Sequence, residues 1–168
     1  MFHFSNTRKP DFRRIKSIDY NCYWHERGFV LNKKLKEREE IIFNLVPSDT
    51  KVLDVGCGNS LLPVILKEKG CQVTVADISS EVLKGYSSYG IEGMVIDLEK
   101  IGQFESPLAD YDYIILSEVL EHTKNPEEII TVLAKHTNKF LITIPNSAFY
   151  RYRLHLMFGG RFFTQWVY

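Results

Sequence analysis

The chain has 168 residues, 45% hydrophobic and 25% charged, with Lys plus Arg and Asp plus Glu at 21 each. That length supports one domain with a full core and leaves little for a second. Zero net charge supplies no overall field toward nucleic acid or anionic lipid, and the three cysteines form no C-x-x-C pair, which argues against a disulfide framework or a zinc site and for a reducing, cytoplasmic setting.

Residues 1 to 24 form a polar, aromatic stretch that lacks the apolar core of a signal peptide, and no apolar run approaches the roughly 20 residues needed to span a bilayer. No membrane partner is expected. From Phe29 to Val46, Leu31, Leu35, Ile42 and Leu45 share one helical face, with KKLKEREE as the solvated face and Pro47 as the stop. This divides the chain into an N-terminal segment with its helix, 1–46, packing on a unit at 47–168, the whole forming one globular body.

KVLDV reads as a strand, followed by a glycine turn and a helix from about Leu61 to Lys69 that Gly70 stops. QVTVAD is a β-branched strand, after which Ser79 caps a helix reaching about Tyr89. GMVIDL and YDYIILS are third and fourth strands. NPEEIITVLAKH enters a helix with an Asn cap, Pro at the first position and Glu at the third, and KFLITIPN is a fifth strand. Apolar strands alternating with helices predict an α/β, Rossmann-like, doubly wound and mostly parallel sheet covered on both faces. In such sheets ligands bind beyond the carboxyl ends of the strands.

The strand ends therefore carry the functional argument. Gly56 and Gly58 let backbone approach a ligand closely and admit positive φ. A dinucleotide loop wants a third small residue at position 61 to pack around a pyrophosphate, and it suffers from an acid beside the phosphates; here the residues are Leu61 and Asp54. A cationic ligand without phosphate suits VLDVGCGNS better, and a nicotinamide-dependent oxidoreductase is disfavoured. Asp77 closes the second strand, where a carboxylate accepts bidentate bonds from ribose hydroxyls. Asp97 and Leu98, after the third, offer an acceptor for an adenine amino group beside an apolar contact. Each acid alone is equally well a helix cap; three in register behind a glycine loop form a nucleoside site.

With those residues, 51–145 resemble the class I S-adenosylmethionine-dependent methyltransferases. The resemblance implies S-adenosyl-L-methionine as cofactor, with VLDVGCGNS as the cofactor loop (Asp54, Gly56, Cys57 and Gly58), Asp77 and Ile78 at the ribose, Asp97 and Leu98 at the adenine, and Ser117 where YDYIILSEVLEH meets the methionyl part. The family's usual third glycine appears here as Ser60, a small residue and a minor departure. Such enzymes usually add a sixth and an antiparallel seventh strand, whereas this sequence runs from the fifth to Tyr168, so C-terminal strands are expected to be missing and a dimer through the bare sheet edge is conceivable. Beyond the fifth strand, Pro145, Asn146, Tyr150, Arg151, Arg153, Gly160 and Arg161 resemble a narrower group, the MetW-like methyltransferases, which implies an association with a homoserine acyltransferase; SEVLEH is more similar to general small-molecule methyltransferases.

Methyl transfer is an in-line displacement that depends on positioning, with a base needed only when the acceptor must lose a proton. His122 is the candidate base, four residues beyond Glu118 and expected on the same face of a short helix; each has an ordinary helix-end reading beside the catalytic one. His3, His25, His136 and His155 share no ligand spacing, so no metal is expected. Cys57 is read as packing. FYRYRLHLMFGGRFF interleaves aromatics with Arg151, Arg153 and Arg161; it is read as a lid over the pocket before a nucleic-acid surface. The fourth strand is followed by neither Asn-Pro-Pro-aromatic nor Pro-Cys, so a small molecule, not a nucleic acid, is the expected acceptor.

Overall fold

A computed structural model describes residues 19–103, 110–137, 139–146 and 148–159. Five strands, β1 (Lys51–Val55), β2 (Gln72–Asp77), β3 (Glu92–Val95), β4 (Tyr113–Ser117) and β5 (Phe140–Thr143), pair in parallel in the order β3-β2-β1-β4-β5. The helices are α1 (Tyr20–Arg27), α2 (Glu37–Leu45), α3 (Leu62–Glu68), α4 (Ser80–Ser87), α5 (Pro126–Leu133) and α6 (Tyr150–Gly159). The expected doubly wound fold is present, and strand order reverses between β1 and β4, where such sheets open a crevice.

Period two along the strands sorts the side chains into two layers. Val52, Val73, Val75 and Ile115 face Ile42 and Val46 of the α2 end, Leu62 and Leu66 of α3, and Val82 and Tyr86 of α4. Leu53, Val55, Ile114 and Leu116 face Ile129 and Leu133 of α5 together with Ile96 and Ile101. Each fully buried Leu or Ile contributes about 1.5–3 kcal/mol by leaving water. Asp54 shares the Val52 face of β1, so its carboxyl points toward α2 and away from α5.

Several expected elements differ in extent. The helix expected over Phe29–Val46 is confined to Glu37–Leu45. Residues ahead of it are drawn into another role: Asn32 N–H donates to Asn59 O at 3.0 Å, and Asn59 Nδ2 donates to Val30 O at 3.0 Å, which ties the strap to the glycine loop. The helix then starts where Lys36 N–H donates to Glu39 Oε2 at 2.8 Å. Leu31 and Leu35 still pack on the core, so their burial was legible although their conformation was not. The third strand stops at Val95, ahead of Asp97 and Leu98, and a 3-10 stretch covers Leu98–Gln103. Ser79 and Asn125 stand at the N-caps of α4 and α5 as expected, but neither side chain makes the capping bond, and Ser79 Oγ is buried without a partner. The FYRYR segment forms α6 from Tyr150, exposing Met157 and Phe158; the part from Gly160 onward, Arg161 included, lies outside the described residues.

Candidate functional site

At the carboxyl end of β1 the chain turns through Gly56 at φ +69°, whose N–H donates to Ala76 O at 2.7 Å. A Cβ at Gly56 would lie 2.5 Å from Val119 Cγ2, so glycine is demanded both by the backbone and by its neighbour. Gly58, at φ +49°, donates its N–H to Asp77 Oδ2 at 3.1 Å, while Asp77 Oδ1 accepts from Ser79 N–H at 2.9 Å. This carboxylate therefore stitches the glycine loop to the β2 end, and each oxygen keeps a further acceptor position. Burial pushes the Asp77 carboxyl up, opposed by the backbone donors of Ser79, Gly58 and Ile78.

Asp54 is more deeply enclosed. Burial first, then the charges of Glu39 and Asp77, push its carboxyl up to about 8. Glu39 itself is buried but fully engaged, accepting from Lys36 N–H and from Ser60 Oγ at 3.0 Å. Cys57 is also buried, and burial, followed by the Asp54 charge, pushes its thiol well up, in keeping with a packing role. Tyr86 of α4 donates its hydroxyl to Ser60 O at 2.6 Å and anchors the far end of the loop.

A cavity of about 280 Å³ opens at these strand ends. Gly56, Gly58, Asp77 and Ile78 line one part and Asp97, Leu98 and Glu99 another. Glu118, Val119, His122 and Thr123 line the part beyond β4. The eleven predicted site residues thus divide: Gly56, Gly58, Asp77, Ile78, Asp97, Leu98, Glu118 and His122 line this wall, whereas Asp54, Cys57 and Ser117 do not. Asp97 is already used as a local cap, accepting from Glu99 N–H at 3.0 Å and pairing with Lys100 at 3.2 Å. No Lys or Arg belongs to the described wall, which carries four carboxylates, Asp77, Asp97, Glu99 and Glu118. Such a wall repels a pyrophosphate and suits a cation.

Glu118 and His122 require a correction. They line the same cavity, but not as neighbours on one helix face: Glu118 has φ +54°, and the only helical turn here is a 3-10 segment over Leu120–His122. Glu118 N–H donates to Thr143 O at 3.0 Å, which holds the chain against β5 and breaks any helix at that residue. Its carboxylate is paired instead with Arg38 of α2, Nη2 to Oε2 at 2.6 Å, and Arg38 Nε also reaches Ser117 Oγ at 3.4 Å. Ser117 Oγ lies 2.9 Å from Thr143 Oγ1. The expected lid is corrected too, because no described residue of α6 lines the cavity.

Sequence reasoning missed Arg38 and the three aromatics that close the remaining side, Tyr20, Tyr23 and Trp24 of α1. Asp19 caps that helix, accepting from Asn21 and Cys22 N–H at 3.0 and 3.1 Å. The signal present was the NCYW run behind an Asp; nothing local indicated which pocket it would meet. Among the described residues no group of three or more metal-ligating side chains gathers, and no helix is long and apolar enough to cross a membrane.

The model of one protein family, described as "Methionine biosynthesis protein MetW", matches residues 36–165. The chain belongs to this MetW family. The chain is also similar to named methyltransferases. A ubiquinone biosynthesis O-methyltransferase of Idiomarina loihiensis is 37% identical over 89 residues, covering 51% of this chain and 37% of that protein. One from Rickettsia akari is 29% identical over 147 residues, covering 79% and 57%. The solved N-methyltransferase NodS of Bradyrhizobium japonicum, in complex with S-adenosyl-L-homocysteine, is similar at a TM-score of 0.54 and 19% identity, covering 63% of this chain and 59% of that one. This last likeness concerns the fold, and it shows the MetW-family chain to have the class I methyltransferase architecture. The chain spans about half the length of the curated relatives it matches.

Proposed function

We propose that this protein binds S-adenosylmethionine and transfers its methyl group to a small-molecule oxygen or nitrogen. The observation that carries the reading is the acidic, phosphate-averse cavity in which Gly56, Gly58 and Asp77 are hydrogen-bonded into one unit. The residues fit the cofactor: Gly56 and Gly58 take positive φ and bring bare backbone to the cavity wall, Asp77 keeps acceptor positions for a ribose diol, and Asp97 with Leu98 offers an acceptor beside an apolar face. When bound, S-adenosylmethionine supplies a methyl group activated by a sulfonium.

The chain's own contributions are positional and electrostatic. Glu118 presents a carboxylate to the cationic end of the ligand and is kept in place by its ion pair with Arg38. Asp54, behind the loop, adds a second acid that ionises when a cation arrives nearby. His122, on the wall beyond β4, accepts the acceptor's proton where one must leave. Cys57 packs the loop from beneath and Ser117 braces the β4 end through Thr143. The matched relatives' names, O-methyltransferase and N-methyltransferase, support the reaction class on either atom. Three free cysteines support a reducing cytoplasm as its place of action.

The family description favours a second reading, a non-catalytic partner that supports an acyltransferase of methionine biosynthesis, as a homodimer or in complex with that enzyme. Purified protein incubated with S-adenosylmethionine and cell extract discriminates the two. Formation of S-adenosylhomocysteine that falls in His122→Ala supports the enzyme; no turnover, with stable co-purification of an acyltransferase, supports the partner.

A further inference from the structure

Two of the loops that line the cavity come from strands that are not neighbours. The chain after β3 brings Asp97, Leu98 and Glu99 to the wall, and the chain after β4 brings Glu118, Val119, His122 and Thr123. In the order β3-β2-β1-β4-β5, β2 and β1 stand between them, which places the two strands roughly 14 Å apart at the usual spacing. Ladder hydrogen bonds therefore cannot set one loop against the other.

Glu99 makes a direct connection between them. Its Oε1 accepts from Lys124 N–H at 2.9 Å, and its Oε2 pairs with Lys124 Nζ at 3.2 Å. Both partners are aimed by their own turns. Asp97 Oδ1 accepts from Glu99 N–H at 3.0 Å, and Asp97 O accepts from Lys100 N–H at 3.0 Å, which folds this stretch tightly. On the β4 side, Val119 O accepts from His122 N–H at 3.0 Å, and Leu120 O accepts from Thr123 N–H at 3.1 Å and from Thr123 Oγ1 at 2.8 Å. The Lys124 amide follows directly. The segment carrying His122 is thus pinned at both ends, by Glu118 N–H on Thr143 O at 3.0 Å and by Lys124 N–H on Glu99.

Beneath the turn, Ile96 and Ile101 pack in one core cluster with Ile129 of α5, the helix that follows Lys124. Apolar packing brings the two loops together, and Glu99 fixes the polar contact above it. The two bonds to Lys124 are unequal. The Lys124 side chain is 66% exposed, and an exposed ion pair adds little and is screened by salt. A main-chain amide donating to a carboxylate is charge-assisted and needs no ordering of a long side chain.

We propose that Glu99 is a positioning residue: by holding the Lys124 amide it ties the turn that receives the nucleoside to the turn that presents His122. This rests on the S-adenosylmethionine reading above, in which adenine lies against Asp97 and Leu98. A ligand seated on those two residues stiffens the turn whose next residue holds the His122 segment, so filling the nucleoside end is felt at the acceptor end.

The test uses adenosine, which fills the nucleoside end and carries no methionyl part. The His122 ring signals are read by nuclear magnetic resonance in the full chain, assigned by their loss in His122→Gln, while Leu98 methyl signals report occupancy. Saturating adenosine is expected to shift the His122 signals in wild type and to leave them unmoved in Glu99→Ala. Glu99→Gln keeps an acceptor for the Lys124 amide and Lys124→Ala keeps the amide itself, so both are expected to keep the shift. Unmoved His122 signals in adenosine-saturated wild type overturn the proposal whichever variants fold. So does a wild-type shift in folded Glu99→Ala, or a lost shift in Lys124→Ala; in each case the cofactor assignment stands. A wild type that binds neither adenosine nor S-adenosylhomocysteine overturns both.

Discussion

At the scale of single residues, the site is built from groups held in costly states. Asp54 has its carboxyl pushed up to about 8, far above the usual carboxylate range, by burial and by Glu39 and Asp77. A group whose folded value is raised stabilises the fold fully below its unfolded value and loses that contribution as pH climbs to the folded one. Wild type is therefore expected to lose up to about 1.4 kcal/mol per pH unit between pH ~4 and ~8, with Asp77, also raised, acting in the same direction. Asp54→Asn should flatten that slope, so that urea unfolding at pH 8 finds the variant more stable than wild type while its ligand affinity falls. A slope identical in the two proteins would remove Asp54 from the account. Gly56 is costly to replace for a steric reason. Gly56→Ala places a methyl 2.5 Å from Val119 Cγ2 and forces an L-residue to φ +69°, with an expected loss of about 1–3 kcal/mol in urea unfolding. Val119→Ala in the same chain should recover the contact share and leave the backbone share.

At the scale of elements, what sequence showed and what it hid follow from how local each signal was. β1, β2 and β4 were legible because Val52, Val75 and Ile115 and their neighbours are apolar on both faces, and a strand buried on both sides reads as a continuous apolar run. The strap at 28–36 was misread as helix because Leu31 and Leu35 carry helical spacing, while the decisive bonds, between the strap and Asn59, join residues 27 and 29 apart. Glu118 and His122 at i and i+4 failed in the same way: Thr143 O captures Glu118 N–H and turns the chain out of the helix. Two of the cross-element bonds that hold the glycine loop and the β4 end can be removed by single substitutions. Tyr86→Phe removes the hydroxyl bond from α4 to Ser60 O and is expected to cost about 1–1.5 kcal/mol by thermal unfolding. Arg38→Met leaves Glu118 without its cation, and the partly buried carboxylate is expected to weaken both stability and ligand affinity, by about 1–2 kcal/mol in the former. An Arg38→Met protein as stable and as tight-binding as wild type would mean that the pair is incidental.

At the scale of the whole molecule, the fold class and the gathering of Gly56, Gly58, Asp77 and Asp97 at one cavity were available from the chain itself, because a parallel sheet delivers its strand ends to one side; Asp54, read as their equal, does not line that cavity. The wall contributed by α1 and the cation contributed by α2 were not, since they reach the site from segments whose local pattern says nothing about the sheet they pack on. The same distinction explains α6: aromatic and arginine spacing suggested a cover, but its described residues lie off the cavity. Membership in the MetW family sets the architecture, and the acidic, glycine-floored cavity carries the functional claim. The most direct measurement is calorimetric titration of S-adenosylhomocysteine into wild type and Gly56→Arg, with circular dichroism showing both folded. The account predicts saturable one-site binding to wild type and none to the variant, whose side chain fills the cavity beneath Val119. Equal affinity in the two folded proteins would contradict it.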